Sequence, residues 1–84
     1  MLSMILSEGF DLYPNPVTDL ITLRFNRVES HEIRIYSTTG QLILSDTFTG
    51  KEYQADLSRL GEGIYFITIS SKNLKATKKI VKLL

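Results

Sequence analysis

An all-β, antiparallel fold is the architecture that this 84-residue sequence predicts, and three of its features carry the prediction. Apolar side chains recur at every second position. Turn-forming residues punctuate the chain at intervals of roughly ten residues, and no stretch shows a helical period of about 3.6. Alternation of period two puts one face of each strand on a core and the other in water, the mark of antiparallel sheets. The composition, 43% hydrophobic and 23% charged, is that of a folded chain, and its length supports one core.

The first strand, Phe10 to Tyr13, runs into Tyr13-Pro14-Asn15-Pro16, which holds both prolines of the chain. Each proline removes a backbone donor and drives the residue before it towards extended conformations. The tetrapeptide therefore reads as a stiff, donor-poor lead-in that discourages further strands from pairing at that edge.

In the second strand, Leu20 to Phe25, Ile21, Leu23 and Phe25 share the inward face, with Thr22 and Arg24 outward. Polar Asn26 to Ser30 is read as a turn. His31 to Tyr36 repeats the device, with Ile33 and Ile35 inward and Glu32, Arg34 and Tyr36 outward. Thr38-Thr39-Gly40 supplies a turn whose glycine accepts positive φ.

Gln41 to Phe48 is the fourth strand, Thr49-Gly50-Lys51 the next turn, and Tyr53, Ala55 and Leu57 mark a short fifth strand. Ser58 to Gly63 is a corner holding two glycines. Ile64 to Ser70, rich in aromatic and β-branched residues, reads as a central strand covered on both faces. Ser71-Lys72-Asn73 turns the chain into a last strand, Lys75 to Leu83. Seven short strands at this spacing predict a β-sandwich.

Few residues suit chemistry. With no cysteine there is neither a disulfide framework nor a thiolate metal site. His31, the only histidine, is read as a surface or strand-end residue, with no nucleophile framed beside it and too few partners for zinc. Glu8, Asp11 and Asp19 lack the dense spacing of a calcium loop, and Asp19 is read as capping the turn after the prolines. Gly61-Glu62-Gly63 has no helix behind it to cradle a phosphate. No catalytic residue, cofactor or metal ligand is assigned.

The charge is uneven. Residues 1–62 hold nine acids and five bases, whereas residues 63–84 hold no acid and five lysines: Lys72, Lys75, Lys78, Lys79 and Lys82. Such a terminus suits nucleic acid, an anionic membrane surface or an acidic partner, or guards an edge strand against aggregation. The aromatics are dispersed instead of interleaved with bases, which disfavours nucleic acid. No apolar run approaches the roughly 18 residues of a membrane span, so no direct membrane insertion is expected.

The corner Leu60-Gly61-Glu62-Gly63-Ile64-Tyr65 resembles the tyrosine corner of immunoglobulin-like sandwiches, with Tyr65 in the bonding role. The fold expected is thus a seven-stranded immunoglobulin-like antiparallel β-sandwich. "LYPNPVTDLITLRF", "IRIYSTTGQLI", "DLSRLGEGIYFITI" and "KKIVKL" follow one another in that order. Together they resemble the C-terminal sorting domain, type A, of the type IX secretion system of Bacteroidetes, from about Phe10 to the end of the chain.

The resemblance implies a non-catalytic export signal on a larger protein, with residues 1–9 as linker or cloning residues and 10–84 as the sorting domain. Its partners would be the type IX translocon, outer-membrane shuttle and sortase proteins, and a covalently attached N-terminal cargo. The chain would pass through the periplasm and end on the cell surface or secreted, and a surface sortase would remove the domain. The glycine–tyrosine strand opening falls on Gly63 and Tyr65. The terminal lysine–apolar motif falls on Lys78, Lys79, Ile80, Val81 and Lys82, the candidate translocon-recognition residues. Tyr13, Pro14, Asn15, Pro16 and Gly40 complete the structural motif.

Parity sets Lys78, Ile80 and Lys82 on one face of that strand and Lys79, Val81 and Leu83 on the other. Val81 and Leu83 are expected to anchor it, leaving Ile80 outward between two lysines. A terminus of Leu83-Leu84 departs from the family pattern, which stops soon after the last lysine. The alternative reading is a carbohydrate-binding or adhesin-like module appended to a secreted enzyme, with Tyr36 as its stacking residue.

Overall fold

The structure, a computed structural model, describes residues 10–72 and 74–84. The linker assigned to residues 1–9, and Asn73 of the expected turn, lie outside the described residues. Five strands form: β1 (Phe10–Tyr13), β2 (Leu20–Ser37), β3 (Leu42–Asp56), β4 (Gly63–Ser70) and β5 (Lys75–Lys82). All strand pairs are antiparallel and belong to one hydrogen-bonded sheet.

The all-β, antiparallel expectation stands, but the strand number is five where seven were expected, and one curled sheet replaces two stacked ones. Two of the expected turns are not turns. Asn26 to Ser30 stays within β2, and Thr49 to Lys51 stays within β3. The register explains how. Arg24 pairs with Glu52 and Glu29 with Gly50, so Phe25 to Val28 lie opposite Lys51 alone. Neither segment contains a proline, so the amides remain free to bond, and a bulge absorbs the surplus residues while bending the ribbon.

Gly50 sits at that bend with φ +147°, where a Cβ would lie 2.7 Å from the Phe48 ring. Backbone of this kind favours glycine. The β2–β3 connection is a true turn: Gly40 has φ +90°, and its amide donates to the Ser37 carbonyl at 3.0 Å.

The long β2–β3 ribbon organises everything else. β3 takes one edge of β2 along most of its length, while the other edge is shared, with β1 on Thr22–Phe25 and β4 on Glu32–Ser37. β5 pairs outside β4. As the ribbon bends, the inner faces of its two halves enclose one core of Phe10, Val17, Ile21, Leu23, Phe25, Ile33, Ile35, Ala55, Leu57, Ile67, Ile69 and Ile80. The inward positions read from β2 are all among these.

Three local expectations change. His31 is not at the surface: only 1% of it is exposed, its ring stacks on Phe25 at 3.8 Å, and its Nδ1 has no hydrogen-bond partner. The register places it opposite Phe48, inside an aromatic row that continues to Tyr53. β4 is central but not covered on both faces, since Ile64 and Phe66 are exposed. Asp19 contributes its backbone carbonyl to the Leu57 amide, at 2.7 Å, in place of a carboxylate cap.

Candidate recognition site at the terminal strand

β5 carries the terminal motif and would be an ordinary edge strand were it not covered. The segment after the prolines lies along its outer edge. Val17 donates to the Val81 carbonyl at 2.9 Å and accepts from the Leu83 amide at 2.8 Å, a parallel bridge between Val17 and Lys82. Asn15 extends the ladder with its side chain: Nδ2 donates to the Lys79 carbonyl at 2.8 Å, and Oδ1 accepts from the Val81 amide at 2.9 Å. Pro14 and Pro16 have no amide to offer, so a carboxamide supplies donor and acceptor where the backbone cannot. Both X-Pro bonds are cis.

The tetrapeptide thus does the opposite of what its donor-poor sequence suggested. Tyr13, Pro14, Asn15 and Pro16 are all exposed, but Asn15 and Val17 clasp the last strand instead of keeping partners away. Val17, which is buried, received no role from the sequence. Its one signal was that it is the only apolar residue between Pro16 and Leu20.

The faces of β5 are reversed relative to expectation. The pairing by parity holds, but Ile80 is 0% exposed and belongs to the core, Lys82 is 3% exposed, and Lys78 is half-buried. Lys79 is exposed, Val81 half-buried and Leu83 exposed, so Val81 and Leu83 do not anchor the strand. Lysine can occupy an inner face because its methylene stem packs against apolar atoms while the ammonium reaches a polar group. Lys78 Nζ donates to the Phe10 carbonyl at 3.1 Å and lies 4.5 Å from the centre of the Phe10 ring. Lys82 Nζ donates to the Leu83 carbonyl at 2.7 Å.

Lys78 therefore ties β5 to β1, and the sheet closes on itself through that contact and the Asn15–Val17 clasp. The outer face is different in kind. Tyr36 pairs with Leu42 on one side and Phe66 on the other, Phe66 pairs with Lys79, and Ile64 pairs with Val81.

The strand opening at the corner is positioned by two local features. Gly63 has φ +149°, and the Tyr65 hydroxyl donates to the Gly61 carbonyl at 2.8 Å. Gly40 lies in the β2–β3 turn and makes no bond to the terminal motif. Elsewhere, the Tyr53 hydroxyl donates to Asp46 Oδ2 at 2.7 Å; partial burial first, and then that carboxylate, push the phenol up to about 12. Ser58 holds the Asp56 carboxyl below its ordinary value through its hydroxyl and its amide. No cluster of three or more His, Cys, Asp or Glu that could hold a metal occurs among the described residues.

A small curled sheet whose last strand is clasped by its first turn, with four lysines and no acid in that strand, has the makings of a recognition module. The comparison with protein families makes the assignment specific. The chain belongs to the family of secretion system C-terminal sorting domains, whose model matches residues 11–83. It is also similar to the endo-acting ulvan lyase of Formosa agariphila, 28% identical over 79 residues, an alignment covering 92% of this chain and 15% of the lyase. The chain thus spans about 15% of the length of that curated relative. Membership in this family makes the chain a type IX secretion C-terminal sorting domain, the sorting signal of a secreted protein. The family is non-catalytic and serves export to the cell surface or beyond.

Proposed function

We propose that the domain delivers an N-terminal cargo to the outer-membrane translocon, passes through the periplasm folded as described, and is then removed by a surface sortase. Shuttle and sortase proteins of the outer membrane are its successive partners. The observation that carries this reading is the family match over residues 11–83, which takes in the Asn15–Val17 clasp and β5 together. The clasp supports it physically, because a terminal strand held at both edges presents a fixed surface to a receptor.

The test is to fuse the 84-residue chain to a secreted reporter and express it in a type IX-competent host and in a translocon-deficient strain. Surface display in the first and periplasmic retention in the second are expected, with the displayed reporter lacking the domain by immunoblot. Equal display in both strains would overturn the export reading, and a displayed reporter still carrying the domain would overturn its removal.

Deleting Lys78 to Leu84 is a poor test of the signal. The deletion removes Ile80 from the core together with every bond to Asn15 and Val17, so lost export would follow from unfolding alone.

A further inference from the structure

We propose that the outer face of β2, β4 and β5 is the surface by which this domain is recognised, and that its partner is a protein surface with an apolar centre and an acidic rim. The inference rests on the export reading and names the contact surface that reading leaves open. It also divides the terminal motif. Lys78, Ile80 and Lys82 are spent on holding the fold, and Lys79 and Val81 are what a partner can reach.

The register assembles the surface. Leu42, Tyr36, Phe66 and Lys79 lie side by side across four strands, and Ile64 and Val81 form the neighbouring pair. Leu42 is 49% exposed, Ile64 43% and Phe66 36%. No other strand packs on this face among the described residues. The same face turns polar further along the sheet, where Ser45, Arg34, Thr68 and Thr77 line up, followed by Thr47, Glu32, Ser70 and Lys75. A water-facing sheet surface needs only the second kind of row, and a grouped apolar and aromatic patch marks a contact site.

Charge selects the partner. Lys75 and Lys79 both face outward on β5, are exposed, and have no carboxylate within ion-pair distance among the described residues. The carboxylate of Glu32 on this face is already engaged by Arg34, at 3.7 Å. An apolar centre bordered by Lys79, with Lys75 farther along the same face, is complementary to an apolar patch flanked by carboxylates, with the aromatic as anchor and the charges steering approach.

The test uses the whole chain as the reporter fusion. Lys79→Glu and Phe66→Thr are each expected to cut surface display about tenfold or more, the loss of one interface anchor. Lys79→Arg and, at the polar end, Ser45→Glu should display as the parent does. Thermal melting of each purified chain checks that the fold is kept. Parental display by folded Lys79→Glu and Phe66→Thr chains would overturn the inference while leaving the export reading intact; a parent chain that is not displayed would sink the export reading itself. A dimer of the isolated chain that Phe66→Thr dissolves would assign the face to a second copy. A glycan-array signal lost with Phe66→Thr would assign it to a sugar, and either result overturns the acidic partner.

Discussion

Single side chains in this domain stand in for backbone. Asn15 completes a ladder that two prolines interrupt, and the Tyr65 hydroxyl reaches the Gly61 carbonyl across a corner. Tyr53 instead bonds another side chain within β3, its hydroxyl donating to Asp46 Oδ2. Because the folded phenol is pushed up to about 12 from 10.0, its stabilising bond is fully present below pH 10 and is lost as the pH rises through 12. The stability difference between the parent and Tyr53→Phe should therefore shrink over that window in denaturant titrations. A difference that stays constant would show that the bond does not hold the proton.

At the scale of the element, β5 has one structural face and one free face. Ile80→Ala should destabilise the domain by about 2–5 kcal/mol, the cost of emptying a buried branched side chain. Lys79→Glu, one residue away and exposed, should shift stability by no more than about 0.5 kcal/mol. Urea denaturation of both variants decides the matter. Equal costs at the two positions would mean that the strand is not seated as described. The strand's parity was legible because side chains alternate strictly along β structure. Which face turned inward was not, since Val81 and Leu83 offer more apolar surface than Ile80 does alone.

The whole molecule is a sheet closed by its own lead-in segment. β1 and β4 occupy different parts of the ribbon, and Lys78 with Asn15 and Val17 ties β5, which lies outside β4, back to β1 and the segment after it. Loosening the clasp should free β5 without melting the β2–β3 ribbon. In Asn15→Ala, amide exchange at Val81 and Leu83 is expected to accelerate about tenfold or more, while Ile33 and Ile35 keep their protection. Uniform acceleration across the chain would mean that the clasp and the ribbon unfold as one unit. The expectation of seven strands failed at this same scale. Polar Asn26 to Ser30 and glycine-bearing Thr49 to Lys51 look like turns locally, yet across from each other they form a bulged bend in a continuous pair.

From the sequence alone come the antiparallel all-β class, the inward sets Ile21–Leu23–Phe25 and Ile33–Ile35, the Gly40 turn and the sorting-domain resemblance, because each rests on local periodicity or a local motif. Tertiary structure decided the strand count, the burial of His31, the clasp by Asn15 and Val17, and the inward face of β5. A two-residue period states which side chains share a face and is silent on which face meets the core. On the inward face Lys78 reaches the Phe10 carbonyl, 68 positions away in the chain, while Ile80 beside it is buried in the core.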